Sequence, residues 1–359
     1  MCNSLKAVDF FCGAGGVTCG FSQIGIEVLG GIDIDSKFKD TYEKNNGSKF
    51  LNEDVSNLDT SKLQELLPIK KNDNNLIFVG CSPCQYYSNI KSDKRKSAKG
   101  RLLLEDFKEF ILFYKPGYVF VENVPGLNTK KGSPIENFKK TLSKQGYSFD
   151  FNVLNAKHFE VPQNRRRFVL IASRVMGDIK LPENKINKKN ITVKEAIGNY
   201  QDFPQIQHGH KDLSDFQHST ARLSDLNLLR VSKTPLNGGS RKAWENDAQL
   251  QLECYKNHKG HTDVYCRLKW SKPAPTITTR FIYTSTGRYS HPEQNRGLSL
   301  REGATLQSFP KDYVFHSNNQ GAIATMIGNA VPPNLAKAVG ASIKNHWQAW
   351  QHLRQKQEQ

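Results

Sequence analysis

Along the first 175 residues, two patterns of apolar and polar positions alternate. Largely apolar runs such as 6–11 (KAVDFF) and 76–79 (LIFV) are separated by stretches in which apolar residues return every three to four positions. A run apolar on both faces suits a parallel strand covered on both sides by helices, and the intervening period is that of an amphipathic helix. The pattern predicts strands over 6–11, 27–32, 76–79, 118–121, 149–154 and 168–172. It predicts helices from a glycine-rich turn at 12–16 through about 24, over 103–114 and over 135–145. Strands and helices in alternation imply an α/β class with a doubly wound, Rossmann-like sheet.

Beyond Arg174 the chain turns polar and irregular, rich in Asn, Lys, His and Gly, and no helical period is sustained until about 321. A second, smaller domain, irregular and mainly β, is expected there. Helical spacing then returns over 333–353, through Leu335, Ala338, Val339, Ala341, Ile343, Trp347 and Trp350. The expected division is 1–173, 174–311 and a segment 312–359 that returns to the first domain.

Composition narrows the class. The 359 residues, 37% of them apolar, are enough for a sizeable core and exclude a peptide module or global disorder. There is no apolar run of about 20 residues, and residues 1–6 do not open a signal-like segment, so neither a membrane nor a secreted location is expected. Seven scattered cysteines suit a reduced, cytoplasmic chain. Cys81-Ser-Pro-Cys84 stands without a second such pair, so no metal site is expected.

Charge points to a partner. Lys and Arg total 51 against 34 acids, a formal charge of +17, and residues 91–101 alone carry six basic side chains and one acid, Asp93. This favours a polyanion, nucleic acid first, with a merely solvated lysine-rich loop as the alternative.

Four segments sit where strands are predicted to end, and a fifth leads into one. Asp9-Phe-Phe-Cys-Gly-Ala-Gly-Gly16 joins a strand to a helix, where backbone N–H groups can approach a nucleotide-like cofactor. Asp33 ends the second strand, a position from which a carboxylate can hold ribose hydroxyls. A tight turn with a helix-capping acid would explain the same residues. Gly80-Cys-Ser-Pro-Cys84-Gln puts Cys84 at a strand's C-terminal edge as a candidate nucleophile, while Cys81 continues the buried strand and suits a structural role. Glu122-Asn-Val ends a further strand, so its carboxylate could reach the same substrate, and Gln163-Asn-Arg165-Arg-Arg167 alternates arginines on the approach to a strand.

Taken together, these segments resemble the C5-cytosine DNA methyltransferase family. DFFCGAGG is similar to its cofactor motif, GCSPCQYYS to its Pro-Cys-Gln motif, ENV to its Glu motif and QNRRRF to its Gln-x-Arg-x-Arg motif. REGATLQSFP at 301–310 and GNAVPP at 328–333 resemble the two later motifs, in family order over nearly the whole chain. Gly-Cys-Ser in place of the commoner Gly-Gly-Pro, and Tyr86-Tyr87 after the catalytic motif, are departures that remove no catalytic group.

The resemblance implies S-adenosylmethionine as cofactor, bound by Asp9, Phe11, Gly13, Gly15, Asp33, Ile34, Asp54, Leu102 and Asn329. It implies that Cys84 adds to C6 of a flipped-out cytosine while Glu122 engages N3, Arg165 bonds O2, and Arg167 supports Glu122 or the backbone. Ser88, Lys91, Lys94 and Arg95 would meet DNA from a loop closing over it. Arg280 and Arg288, with Tyr283, Thr284 and Thr286, are candidate contacts from the small target-recognition domain. The implied partners are double-stranded DNA and a separately encoded restriction endonuclease, with a monomer expected and no membrane partner. An RNA cytosine methyltransferase and a catalytically silent DNA-binding regulator are the competing readings.

Overall fold

The computed structural model describes residues 4–83, 102–184, 189–252 and 263–357. They form two compact units, one of Met1–Asn155, Arg166–Lys185 and Val331–Gln359, the other of Ala156–Arg165 and Ile186–Ala330. The division differs from the expected one: 156–165 and 312–330 belong to the second unit, and the return to the first begins at Val331.

The first unit is built on a seven-stranded sheet ordered β3-β2-β1-β4-β5-β8-β6. Its strands are β1 (Lys6–Phe10), β2 (Glu27–Asp33), β3 (Lys49–Asn52), β4 (Leu76–Gly80), β5 (Tyr118–Asn123), β6 (Ser148–Asn155) and β8 (Arg166–Ser173). The first five are parallel, while β8 runs antiparallel between β5 and β6. The central strands are buried on both faces, as their largely apolar sequence requires. Connecting helices are α1 (Gly16–Ser22), α2 (Lys39–Asn46), α3 (Leu63–Leu66), α4 (Leu103–Tyr114), α5 (Gly126–Thr129) and α6 (Ile135–Lys144). On one face the Phe10 ring lies 5.0–5.1 Å from those of Phe78, Phe107 and Phe110, a tilted and edge-on cluster that locks α4 to the sheet. The C-terminal helix, α11 (Pro333–Gln357), packs on α1 so closely that a Cβ on Gly20 would come within 2.3 Å of the Pro333 carbonyl oxygen. β3 is absent from the sequence expectation because four residues flanked by polar ones give no period to detect.

In the second unit, β7 (Gln163–Asn164) pairs with β9 (Ala274–Pro275), and the helices are α7 (Val193–Ile197), α8 (Asp225–Lys233), α9 (Leu300–Leu306) and α10 (Gln320–Asn329). It is irregular as expected, but among its described residues helix outweighs strand, which corrects the expectation of a mainly β domain. Buried arginines tie the segments together by donating to main-chain carbonyls. Arg267 donates to the carbonyls of Val231, Thr234, His291 and Gln294, and Arg301 to those of Asp215, Phe216, Pro310 and Tyr313. Burial brings both guanidinium pKa values down to about 10, which still leaves them charged at neutral pH. Glu302 is fully buried and receives Arg296 at 2.7 and 2.8 Å, while also accepting the Ser299 amide in a capping box at the start of α9.

Candidate active site

Strand register assembles the site. Phe10 pairs with Ile32 on one side and Gly80 on the other, and Gly80 pairs with Val121. One residue further along, Phe11, Asp33, Cys81 and Glu122 therefore share one row at the C-terminal edge of four adjacent parallel strands. The strand order reverses direction between β1 and β4, the place where doubly wound sheets bind ligands.

At the β1–β2 end, the glycine turn wraps a carboxylate. Phe11, Gly13 and Gly15 all have positive φ, at 60°, 51° and 85°, and Gly15 caps α1 without a side chain. The Gly13 amide donates to Asp33 Oδ2 at 2.9 Å and the Asp35 amide to Oδ1 at 3.0 Å. Burial pushes the Asp33 carboxyl up, and these two amides pull against it. Behind the turn, buried Asp9 accepts from Thr18 Oγ1 at 2.8 Å, and Thr18 Oγ1 is 2.9 Å from Tyr42 OH. Desolvation raises the Asp9 carboxyl to about 7, with the Thr18 bond opposing and Asp33 adding to the rise. Ile34, following Asp33, is 63% exposed, and Leu102, at the start of α4, is 59% exposed, unusual for large apolar side chains. Asp54 accepts from the Ser56 amide and Asn57 Nδ2, capping its own turn. Asn329 belongs to the second unit, where it is exposed at the end of α10.

At the β4–β5 end, Glu122 is 7% exposed and forms an ion pair with Arg167, Nε to Oε1 at 3.0 Å. The pairing of Glu122 with Val169 and Asn123 with Phe168 in β8 delivers Arg167 to that point. Burial lowers the Arg167 guanidinium pKa and Glu122 opposes the change. Asn123, adjacent to the carboxylate, donates from Nδ2 to the Ser82 carbonyl at 3.2 Å, tying β5 to the segment that leads into Cys84. Burial, with Glu122 and Asp9, pushes the Cys81 thiol well up; burial, with Asp9 and Asp33, does the same to Cys12. Neither supplies a thiolate at neutral pH.

Arg165 departs from expectation. It precedes β8, belongs to the second unit and is 2% exposed, with both Nη atoms donating to backbone carbonyls there. Strand alternation therefore does not pair it with Arg167, and its donors are committed to the main chain rather than to a base. Arg280 and Arg288 are exposed in the second unit, the latter 3.6 Å from Asp263, whereas Thr284 is buried and is thereby removed from the candidate base readers. Cys84, Ser88, Lys91, Lys94 and Arg95 lie outside the described residues.

Several residues of the site carry no sequence signal of their own. Thr18 bonds Asp9 from α1 and Tyr42 bonds Thr18 from α2, while Asn52 Nδ2 holds the carbonyls of Asp33 and Ile34 at 3.1 and 2.9 Å. Only Asn123, next to a singled-out acid, could have been suspected.

Residues 5–345 match the family model described as C-5 cytosine-specific DNA methylase. The chain is 37% identical over 344 residues to the type II methylase M.HgiDII of Herpetosiphon aurantiacus, covering 94% of each chain. It is 33% identical over 356 residues to the type II methyltransferase M1.HphI of Haemophilus parahaemolyticus, covering 95% of this chain and 87% of the relative. Among solved structures it is similar in fold to a DNA modification methyltransferase encoded within an E. coli prophage. That likeness has a TM-score of 0.71 at 20% identity and covers 95% of this chain and 99% of the other. The S. pombe Dnmt2 methyltransferase gives a TM-score of 0.58 at 16% identity, over 95% and 99% of the two chains.

Proposed function

From the premise that this chain belongs to the C-5 cytosine-specific DNA methylases, as a cytosine-5 DNA methyltransferase of the type II restriction-modification kind, we propose a division of labour among its residues. The methyl group comes from S-adenosylmethionine, and the acceptor is C5 of a cytosine flipped out of duplex DNA. Cys84 is the nucleophile.

The residues at the β1–β2 edge fit such a cofactor. A Cβ at Gly13 would meet nothing within 4 Å, so the turn leaves open space beside it, and the half-buried Asp33 carboxylate faces the same turn through the Gly13 amide. Asp33 takes the ribose hydroxyls, exposed Ile34 and Leu102 offer apolar cover for the adenine, and Asp54 takes its amino group. Phe11, Gly13 and Gly15 line the methionine and ribose side, with Asp9 behind them. When bound, the cofactor supplies an electrophilic methyl sulfonium.

Cytosine C5 is too weak a nucleophile to accept that methyl group unaided. The Cys84 thiolate adds to C6, forming a C–S bond and making C5 enamine-like. The Glu122 carboxyl gives its proton to N3 as the thiolate adds, which neutralises the electron pair that moves into the ring and leaves a carboxylate beside Arg167. After C5 is methylated, loss of its proton and expulsion of the Cys84 thiolate restore the aromatic ring. Arg167 holds the Glu122 carboxylate and presents its remaining N–H donors to O2, the role first expected of Arg165. Flipping costs a few kcal/mol, offset by contacts to the distorted duplex from Ser88, Lys91, Lys94, Arg95, Arg280 and Arg288. The protein acts as a monomer beside a separately encoded endonuclease.

The observation that carries this reading is the Arg167–Glu122 pair at the end of β5, whose next residue, Asn123, holds the carbonyl of Ser82, two residues before Cys84. The test is bisulfite sequencing of plasmid DNA from a methylation-free host expressing the chain or its Cys84→Ser variant. Protection of cytosines in one short motif with the intact protein alone is expected. Soluble protein with no protection of DNA would overturn the reading in favour of RNA substrates or a binding role.

A further inference from the structure

Arg165 is almost completely buried, and burying a guanidinium is costly unless its forked geometry is used. Here the fork is used on main chain. Nη1 donates to the Ile277 carbonyl at 2.9 Å, and Nη2 to the carbonyls of Gly328 and Ala330, each at 3.1 Å. Gln163 grips the same segment, accepting the Ile277 amide at 2.9 Å and donating to the Leu306 carbonyl and Gln307 Oε1. Gln307 closes the ring by donating to the carbonyls of Ile327 and Ala330. Both polar groups of Ile277 and the end of α10 are thus held by residues 163–165.

The backbone of the same residue begins the path to the catalytic pair. The Arg165 carbonyl accepts the Ala156 amide at 2.9 Å, the next pair in sequence is Asn155 with Arg166, and the one after that is Leu154 with Arg167. The geometry points to Arg165 as a positioning residue for methyl transfer: anchored to the Ile277 and α10 carbonyls, it sets, through the two peptide bonds to Arg167, where Arg167 meets Glu122. It touches neither base nor cofactor. This rests on the methyl-transfer reading above.

A double-mutant cycle tests it, with single-turnover methyl transfer to unmethylated plasmid DNA measured for the wild type, Arg165→Lys, Arg167→Lys and the double variant. Lysine keeps the charge and loses the fork. Arg165→Lys should slow transfer about tenfold or more when Arg167 is intact, as small misplacements of a reacting group do. In the Arg167→Lys background the same change should cost less than about twofold, because the two act as a unit. The dissociation constant for S-adenosylmethionine should stay within about twofold of the wild type, the scatter expected of uncoupled sites. Equal slowing in both backgrounds would show Arg165 to be merely structural and overturn the inference, as would a wild-type rate for Arg165→Lys. If that variant does not fold, Gln163→Asn, which loosens the same grip, goes through the same cycle with the same expectations. A wild-type chain that transfers no methyl group overturns the reading beneath, and the inference with it; normal wild-type turnover with an additive cycle overturns the inference alone.

Discussion

The Gly13 amide donates to Asp33 Oδ2 at 2.9 Å across twenty residues of sequence. One hydrogen bond thereby fixes the β1–α1 turn against the end of β2, and the carboxylate proposed to hold the ribose also holds the turn that would face the methionine.

Asp33→Asn should therefore weaken S-adenosylmethionine binding about tenfold to a hundredfold, the loss expected of a charged hydrogen bond. Isothermal titration with the cofactor alone measures it. An unchanged dissociation constant would remove Asp33 from the site.

Gly13→Ala separates space from strain. With φ at 51° and nothing within 4 Å of the new methyl, the substitution should cost stability only about 1 kcal/mol, the left-handed penalty of an L-residue. The methyl projects into the space assigned to the cofactor, so affinity should fall more than stability does. A thermal shift assay with and without S-adenosylmethionine reads both, and an undiminished ligand-induced shift would count against this placement.

Asp9 predicts a pH dependence. Its carboxyl rises from 3.8 to about 7 on folding, mainly through burial. The folded chain therefore holds a proton between these values that the unfolded chain has released. Stability from this group is complete below the unfolded value and is lost as pH rises towards 7, at about 1 kcal/mol per unit. Urea midpoints of Asp9→Asn at pH 5 and pH 7 should differ less than those of the wild type; the same slope in both proteins would contradict the assignment.

Burial pushes the Glu302 carboxyl up, but Arg296 overrides it and holds the group far below the usual range. Arg296→Met strands that charge and should cost about 3–5 kcal/mol, part of which Glu302→Gln in the same chain should restore. Thermal unfolding of the two variants decides. A single variant as stable as the wild type would mean that the pair contributes little.

Much of this was legible in the sequence, because it depends on neighbours along the chain. The apolar runs that became β1, β4, β5 and β8 are buried wherever helices cover a parallel sheet, and a catalytic or binding residue directly after such a run lands at the C-terminal edge. Asp33 and Glu122 are expected at that edge for this reason and lie there, as does the turn from Phe11 to Gly15. The mainly β second domain was misread because polar, glycine-rich sequence excludes long helices without specifying strands. There, order comes from Arg267, Arg301 and Glu302, whose partners lie up to 86 residues away.

The two arginines of the QNRRRF segment divide what each level of structure decides. By itself, the sequence determined the family, most strands of the sheet and the edge at which the candidate site lies, since strand burial and turn chemistry are local. Only the tertiary structure decided that Arg167 meets Glu122 while Arg165 is consumed by the carbonyls of Ile277, Gly328 and Ala330. The physical reason is that β8 begins at Arg166, so Arg165 stands outside the strand and its alternation. A buried guanidinium then goes wherever the fold leaves carbonyls to satisfy, and those carbonyls lie more than a hundred residues further along the chain.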